Sequence, residues 1–165
     1  MAGPLVGILL GSDADHPVMG EAASLLAHFG LPFELIVASA HRSPERLRSY
    51  IREAEARGVR VFIAGAAGAA HLAGVVASET ERPVIGVPLA SPPLNGLDSL
   101  LSTVQMPRGV PVATMAVGKA GAQNAALLAV QILALQDEGL AEKFRQYRAK
   151  LAEEVAQKSK GIGGL

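Results

Sequence analysis

Short aliphatic runs alternate with longer segments of helical periodicity along the first half of this chain. The runs cover residues 5–10, 33–38, 59–64 and 84–87. Continuous aliphatic runs are typical of strands buried on both faces, and strands that alternate with helices imply a parallel sheet with right-handed crossovers. The pattern therefore predicts an α/β fold, a three-layer αβα sandwich with a flavodoxin-like parallel sheet.

Local signals mark the ends of the predicted helices. Pro17 suits a first helical turn, and Gly30 follows the apolar stripe of that helix. Ser43 is expected to act as the N-cap of a second helix, and an alanine-rich third helix is predicted at 69–80.

The second half of the chain predicts a C-terminal helical extension. The expected elements are a short helix at 98–105, a fifth strand at 112–117, an apolar helix at 122–135 and an amphipathic helix at 138–157. Because residues 122–135 are apolar almost all the way round, we expect both faces of that helix to be buried, partly against another subunit. We expect a single catalytic domain over residues 1–165, with 158–165 as a flexible tail.

Composition narrows the class of ligand. The 165 residues include 15 basic and 15 acidic side chains, so no net field attracts nucleic acid or an anionic membrane. Cysteine is absent, which excludes disulfides, thiolate nucleophiles and zinc–thiolate sites. The amino terminus MAGPLVG lacks a basic region before an apolar stretch, so a cytoplasmic location is expected. The predicted partner is a small molecule, without nucleic acid or membrane.

Polar or glycine-rich turns follow the first three predicted strands. They are GSDAD at 11–15, SAHRSP at 39–44 and AGAAGAAH at 64–71. Ligands of open α/β sheets bind beyond the carboxyl ends of the strands, near the point where strand order reverses. In the flavodoxin-like order these turns become neighbours, which predicts a small-molecule site, favoured for a phosphate-bearing ligand.

The first turn offers both phosphate donors and a carboxylate. Gly11 lets the backbone approach a ligand, and Ser12 with the N–H groups of the helix start can bind phosphate oxygens. Asp15 would repel phosphate, so its functional interpretation is an acceptor for sugar hydroxyls. The alternative is that Asp15 is an ordinary helix N-cap.

Two histidines and an arginine belong to the other turns. Arg42 can clamp a phosphate in a forked geometry, while the His41 imidazole can take and give a proton near neutral pH. The alternative is a surface ion pair with a capping imidazole. His71 has room to meet a ligand, or is a buried histidine satisfied by backbone. A metal site is not expected, because His41 and His71 lack a clear third ligand.

The chain resembles the N5-carboxyaminoimidazole ribonucleotide mutase family of purine biosynthesis, in its bacterial mutase class. The similarity covers about residues 5–150 and rests on the segments GSDAD, SAHRSP, GAAGAAHLAG, LDSLLSTVQMPRGVPV and GKAGAQNAALLA. The resemblance implies an isomerase that moves a carboxylate from the exocyclic nitrogen to ring carbon 4 of an imidazole ribonucleotide. The implied reaction uses no ATP, metal or organic cofactor. The resemblance also implies a homo-octamer.

The resemblance also assigns roles to individual residues. It implies that His41 is the acid and base, that His71 holds the migrating carboxylate, that Ser12 and Arg42 lie near the phosphate, and that Asp15 lies at the ribose. The remaining implied substrate-binding residues are Gly11, Ser39, Ala40, Gly68, Ala70 and Leu72.

The chain departs from the family pattern at three positions. Ala14 replaces a serine, Ala67 replaces a glycine and Ala73 replaces a proline. The first departure bears most on binding, because a hydroxyl facing the phosphate is missing.

Two other activities fit the same turns. One is direct carboxylation of aminoimidazole ribonucleotide by carbon dioxide in the same pocket. The other is a non-catalytic nucleotide- or flavin-binding module. Flavin is disfavoured, because the chain has no Trp, and its two Tyr and four Phe residues all lie outside the three turns.

Overall fold

The strands of the described chain pair into one parallel sheet. The computed structural model describes residues 3–161. Its strands are β1 Val6–Leu10, β2 Phe33–Val37, β3 Val61–Ala67, β4 Val84–Leu89 and β5 Ala113–Thr114. They pair in the order β2-β1-β3-β4-β5, and every pair is parallel. This order confirms the predicted flavodoxin-like sheet, with the reversal of strand order between β1 and β3.

Helices connect successive strands and extend the chain beyond β5. They are α1 His16–His28, α2 Pro44–Arg57, α3 Leu72–Glu79, α4 Leu97–Val104, α5 Lys119–Ala134 and α6 Glu138–Gly161. A short 3-10 helix, Asp13–Asp15, precedes α1. Gly58 ends α2 with φ of 111°, a left-handed conformation that glycine adopts without strain.

Helices cover both faces of the sheet. On one face Leu47 of α2 and Val76 of α3 belong to a buried cluster that includes Leu9 and Phe62. The other face is marked by Gly65, where an added Cβ would collide with the Met19 side chain of α1. Because side chains alternate along a strand, Gly65 faces away from the cluster that contains its neighbour Ala64. The sheet is therefore the middle layer of an αβα sandwich.

Three local predictions differ from the structure. Helix α3 begins at Leu72 rather than at 69, because Gly68 has φ of 65° and closes a tight turn there. Strand β5 covers two residues instead of 112–117, and Pro88 on the facing part of β4 has no N–H to extend the ladder. Ser43 occupies the N-cap position, but its hydroxyl donates to the Ser39 carbonyl oxygen at 3.1 Å instead of capping α2.

The described chain divides into two compact units, with the boundary after residue 129. All the predicted site residues belong to the first unit. In α5 the small residues Ala122, Ala125 and Ala129 are fully buried, whereas Gln123 and Asn124 are exposed. The predicted tail begins inside α6, which continues to Gly161, and residues 162–165 lie outside the described part of the chain. Its flexibility stays a prediction.

Candidate functional site

The carboxyl ends of β1, β2 and β3 lie at the same edge of the sheet. Leu10 is in register with Val37 on one side and with Gly65 on the other. The Gly11 N–H donates to the Gly65 carbonyl oxygen at 3.1 Å, and Ala38 N–H donates to Leu10 at 2.9 Å. The three turns predicted to converge therefore start from adjacent backbone positions.

Between these turns lies a pocket of about 330 Å³. Its lining comes from all three turns and consists of Gly11, Ser12, Asp15, Ser39, Ala40, His41, Arg42, Ala66, Ala67, Ala69 and Leu72. The volume lies at the small end of the range for ligand pockets, and such pockets combine apolar walls with a few oriented polar groups. Here the alanines supply the wall, and the first two turns supply the polar groups.

The first turn is held by its own hydrogen bonds. The Ser12 N–H donates to Asp15 Oδ2 at 2.9 Å, while the Ala14 N–H donates to Ser12 Oγ at 3.3 Å. This reciprocal arrangement is a capping box at the start of the short 3-10 helix. The Asp15 side chain therefore accepts from the Ser12 backbone. Although Asp15 occupies the N-cap position of α1, its side chain makes no capping hydrogen bond to that helix. The same carboxylate also lines the pocket.

Burial raises the pKa of the Asp15 carboxyl above its ordinary value of 3.8. Loss of solvation is the largest cause, and the hydrogen bond from the Ser12 backbone opposes it. A carboxylate that is partly desolvated and still accepting hydrogen bonds is well suited to receive further donors from a polyhydroxyl ligand.

The second turn fixes the base of the Arg42 side chain. Ser39 Oγ accepts a hydrogen bond from the Arg42 backbone N–H at 3.2 Å and a longer one from Nε at 3.5 Å. Arg42 Nη2 reaches the Gly11 carbonyl oxygen, also at 3.5 Å. The guanidinium therefore spans the gap between the second and first turns, and it remains exposed at the pocket where an anion can reach it.

A direct contact joins the two histidines of the second and third turns. His41 Nε2 lies 2.7 Å from His71 Nδ1, which is hydrogen-bond distance. The ring centroids are 4.8 Å apart, and the planes are inclined by 79°. Both side chains are exposed. The interpretation of His71 as a buried histidine satisfied by backbone is wrong for this structure.

The third turn contributes space and backbone rather than polar side chains. Ala66, Ala67 and Ala69 line the pocket, and Ala70 is 2% exposed and faces the interior. The Gly68 carbonyl oxygen accepts from the Ala70 N–H at 2.8 Å and from Ser102 Oγ of α4 at 3.4 Å. The turn is therefore supported from behind by α4.

The structure brings most of the predicted site residues to one pocket. Eight of them line it: Gly11, Ser12, Asp15, Ser39, Ala40, His41, Arg42 and Leu72. Gly68 and Ala70 do not line it, and His71 meets it through His41. Sequence reasoning missed the lining role of Ala66 and Ala67. The only available signal was the unusual run of small residues in AGAAGAAH, which indicates a close approach but not which residues face a ligand.

Within residues 3–161, no group of three or more His, Cys, Asp or Glu side chains is arranged to hold a metal ion. No helix in the described part of the chain has the length and apolar character needed to cross a bilayer.

The fold and the pocket together define the class of protein. A flavodoxin-like sheet carries, at its strand-order reversal, a pocket with a cationic clamp, a carboxylate and an imidazole pair. These groups suit an anionic small molecule and acid–base chemistry.

Comparison with known proteins places the chain within this class. The AIR carboxylase family matches residues 5–154, and the chain belongs to that family. It is 56% identical over 159 residues to the N5-carboxyaminoimidazole ribonucleotide mutase of Pyrococcus horikoshii, covering 96% of this chain and 89% of the relative. It is 52% identical to the mutase of the same name from Thermotoga maritima, covering 96% and 92%. The crystal structure of Treponema denticola PurE superposes with a TM-score of 0.89 at 29% identity, covering 98% of this chain and 99% of that chain.

Proposed function

We propose that this chain is an isomerase of purine biosynthesis that converts N5-carboxyaminoimidazole ribonucleotide to 4-carboxy-5-aminoimidazole ribonucleotide. Its membership of the AIR carboxylase family and its similarity to relatives named for this mutase support the proposal. One structural observation carries it further. His41 and Arg42 are successive residues of one turn, and both line the pocket that Asp15 enters from the neighbouring turn.

The polar groups suggest how the ribonucleotide is oriented. Arg42 and Ser12 bind the phosphate, because a guanidinium and a hydroxyl beside free N–H groups are donors for its oxygens. Asp15 accepts hydrogen bonds from the ribose hydroxyls. The imidazole base then lies against Ser39 and Ala40 of the second turn.

The reaction needs one group that gives a proton and then takes one back. Protonation of the exocyclic nitrogen by His41 breaks the N–C bond and releases carbon dioxide. Ring carbon 4 attacks that carbon dioxide, and the neutral imidazole of His41 then removes the proton bound to carbon 4. Protons balance over the cycle, and acid–base catalysis of this type contributes about 10²- to 10⁴-fold.

The third turn retains the carbon dioxide between the two steps. Ala66, Ala67 and Ala69 leave a small apolar wall beside His41, with no side chain that could trap or hydrate the intermediate. Confinement keeps the electrophile next to ring carbon 4, which replaces a bimolecular encounter by a local one.

An isotope experiment tests this function against direct carboxylation. The N-carboxylated nucleotide is supplied with ¹³C in its carboxylate, in buffer containing excess unlabelled bicarbonate. The proposal expects ring-carboxylated product that retains the label. Product carrying unlabelled carbon, or turnover of aminoimidazole ribonucleotide and carbon dioxide in preference to the N-carboxylated substrate, would instead establish a direct carboxylase.

A homo-octamer with a cytoplasmic location completes the proposal. Leu127 and Leu128 of α5 are only partly buried within this chain, although their neighbours Ala125 and Ala129 are fully buried. Contact with another copy would cover them. Sedimentation at micromolar concentration measures the assembly, and Leu128→Glu should weaken it before it affects the pocket. A fully active monomer would contradict this part of the proposal.

A further inference from the structure

The contact between His41 and His71 uses particular ring atoms. A separation of 2.7 Å between His41 Nε2 and His71 Nδ1 requires a hydrogen on one of the two nitrogens and a lone pair on the other. Two hydrogens would place two donors against each other, and two lone pairs would repel. The contact therefore holds one proton at a time.

His71 is anchored by backbone on both sides. Its N–H donates to the Ala69 carbonyl oxygen at 2.8 Å, and its own carbonyl oxygen accepts from Val75 N–H at 2.9 Å. The following residue, Leu72, is 2% exposed and belongs to the core cluster. The backbone of His71 is thus held in place, and the His41 ring of the second turn contacts the His71 imidazole.

The two imidazole rings differ in their position relative to the pocket. His41 lines the pocket, whereas His71 does not. His71 Nδ1 is also occupied by His41, so the two nitrogens of His71 are not both free for a ligand. The hydrogen-bond contact of the His71 ring is therefore with His41, which lines the pocket.

Accepting the proposed function, we infer that His71 is a positioning residue that acts through His41 and shares one proton with it across the Nε2–Nδ1 contact. The two imidazoles work as one acid and one base. When the pair carries one positive charge, the other ring nitrogen of His41, Nδ1, gives its proton to the exocyclic nitrogen while the N–C bond breaks. The contact proton stays between the two rings, and the pair becomes neutral. After the C–C bond has formed, the proton leaving carbon 4 returns to His41 Nδ1, and the single positive charge of the pair is restored.

This inference differs from the role that the family resemblance implies for His71, which is to hold the migrating carboxylate. The difference is testable, because the two roles affect different kinetic constants. A ligand for the carboxylate would mainly set KM for the N-carboxylated substrate. A partner of His41 would mainly set kcat.

Two substitutions of His71 separate orientation from proton sharing. His71→Asn keeps an amide near the Nδ1 position, which can hold the His41 ring but cannot take its proton, and His71→Ala removes both. We expect kcat to fall about 10-fold in His71→Asn, which loses proton sharing alone, and about 100-fold in His71→Ala, which also loses orientation, with KM within about twofold of the wild type. Thermal melting confirms that the variants are folded, and His28→Asn on α1 serves as the matched control with unchanged kinetics.

The opposing outcomes are distinct. Full activity of His71→Asn would overturn proton sharing, and a rise in KM with unchanged kcat in His71→Ala would assign His71 to the carboxylate. Either result contradicts the inference.

A spectroscopic measurement is independent of activity. The chain has four histidines, so ¹⁵N-histidine labelling gives a simple NMR spectrum. The ring nitrogens are observed through their couplings to carbon-bound ring protons, which do not exchange with water. We expect His71→Ala to shift the His41 Nε2 resonance while His28 stays unchanged. An unaltered His41 spectrum would overturn the inference even if the wild type proved to be a mutase. If the isotope experiment instead contradicted the proposed function, this NMR measurement would still test the contact between His41 and His71.

Discussion

The first and third turns of the pocket differ in composition and in the bonds that hold their shape. The first turn, residues 11–15, is polar and closed on itself by the reciprocal hydrogen bonds of Ser12 and Asp15. The third turn, residues 64–71, has alanine and glycine up to its last residue, His71, and is shaped by backbone bonds and by α4 behind Gly68. One turn presents oriented donors and acceptors, and the other presents empty space.

Under the proposed function, the difference lets one sheet edge bind an anion and an uncharged intermediate. The polar groups of the first turn would recognise phosphate and ribose, whereas carbon dioxide, which offers few hydrogen-bonding sites, would be retained by the shape of the third turn. The second turn contacts both of the others, with Arg42 directed to the first turn and His41 in contact with the third.

Removing the proton carrier should have the largest effect. We expect His41→Asn to lower kcat by about 10²- to 10⁴-fold, since Asn preserves polarity but cannot transfer a proton. Affinity for the ribonucleotide should change little, because the first turn and Arg42 are intact. Stopped assays combined with equilibrium binding measure both quantities. A parallel loss of binding and turnover would contradict an acid–base role.

Removing the clamp should weaken binding rather than chemistry. Arg42→Ala deletes a charge-assisted contact worth about 1.5–3 kcal/mol, so the dissociation constant of the nucleotide should rise about 10- to 150-fold. Arg46→Ala, an exposed arginine on α2, is the matched control. Titration calorimetry with the nucleotide and the dephosphorylated nucleoside checks the assignment. An equal loss for the nucleoside would show that Arg42 does not recognise phosphate.

Filling the empty turn should impair the reaction without removing a polar group. Ala67→Leu places a large side chain in the pocket, and overfilling a packed site costs about 1–3 kcal/mol. The expected result is a lower kcat/KM, with Ala56→Leu on the exposed side of α2 unaffected. Unchanged kcat/KM for Ala67→Leu would mean that this wall does not meet the substrate.

Adding a hydroxyl to the first turn should sharpen its polar character. Ala14 is exposed beside Ser12, at the position where the family pattern has serine. Ala14→Ser should tighten nucleotide binding by about 0.5–1.5 kcal/mol, the scale of one hydrogen bond. The same calorimetric titration measures it. Unaltered affinity would indicate that backbone N–H groups already satisfy the phosphate.

The smallest expected effect is a change in the pH dependence of stability. Since the pKa of Asp15 is raised in the folded chain, its favourable contribution is complete below 3.8 and is lost as pH rises through the raised value. Asp15→Asn should therefore match or exceed the wild type in free energy of unfolding at neutral pH while weakening ribonucleotide binding. Denaturant titrations from acid to neutral pH measure this. A variant whose relative stability fell as pH rose would reverse the sign.

Much of the fold could be predicted from local patterns. Aliphatic runs and helical stripes identified β1 to β4 and their crossovers, and parallel order followed from the alternation of strands and helices. The same reasoning brought Ser12, His41 and Arg42 to one edge, because the turns after parallel strands share that edge. Short-range signals were less reliable at Ser43, whose hydroxyl bonds to Ser39 instead of capping α2, and at the start of α3, which the turn at Gly68 moves from 69 to Leu72.

The finer geometry of the site depended on contacts between distant segments. No sequence pattern indicated that His41 Nε2 would meet His71 Nδ1, that Asp15 would accept from Ser12 while lining the pocket, or that Ala66 and Ala67 would form its wall. Periodicity reports which way a side chain points relative to its own helix or strand. Which atoms meet across two turns is set by strand register and by the packing of α3 and α4 behind them, and these arise only when the chain is folded.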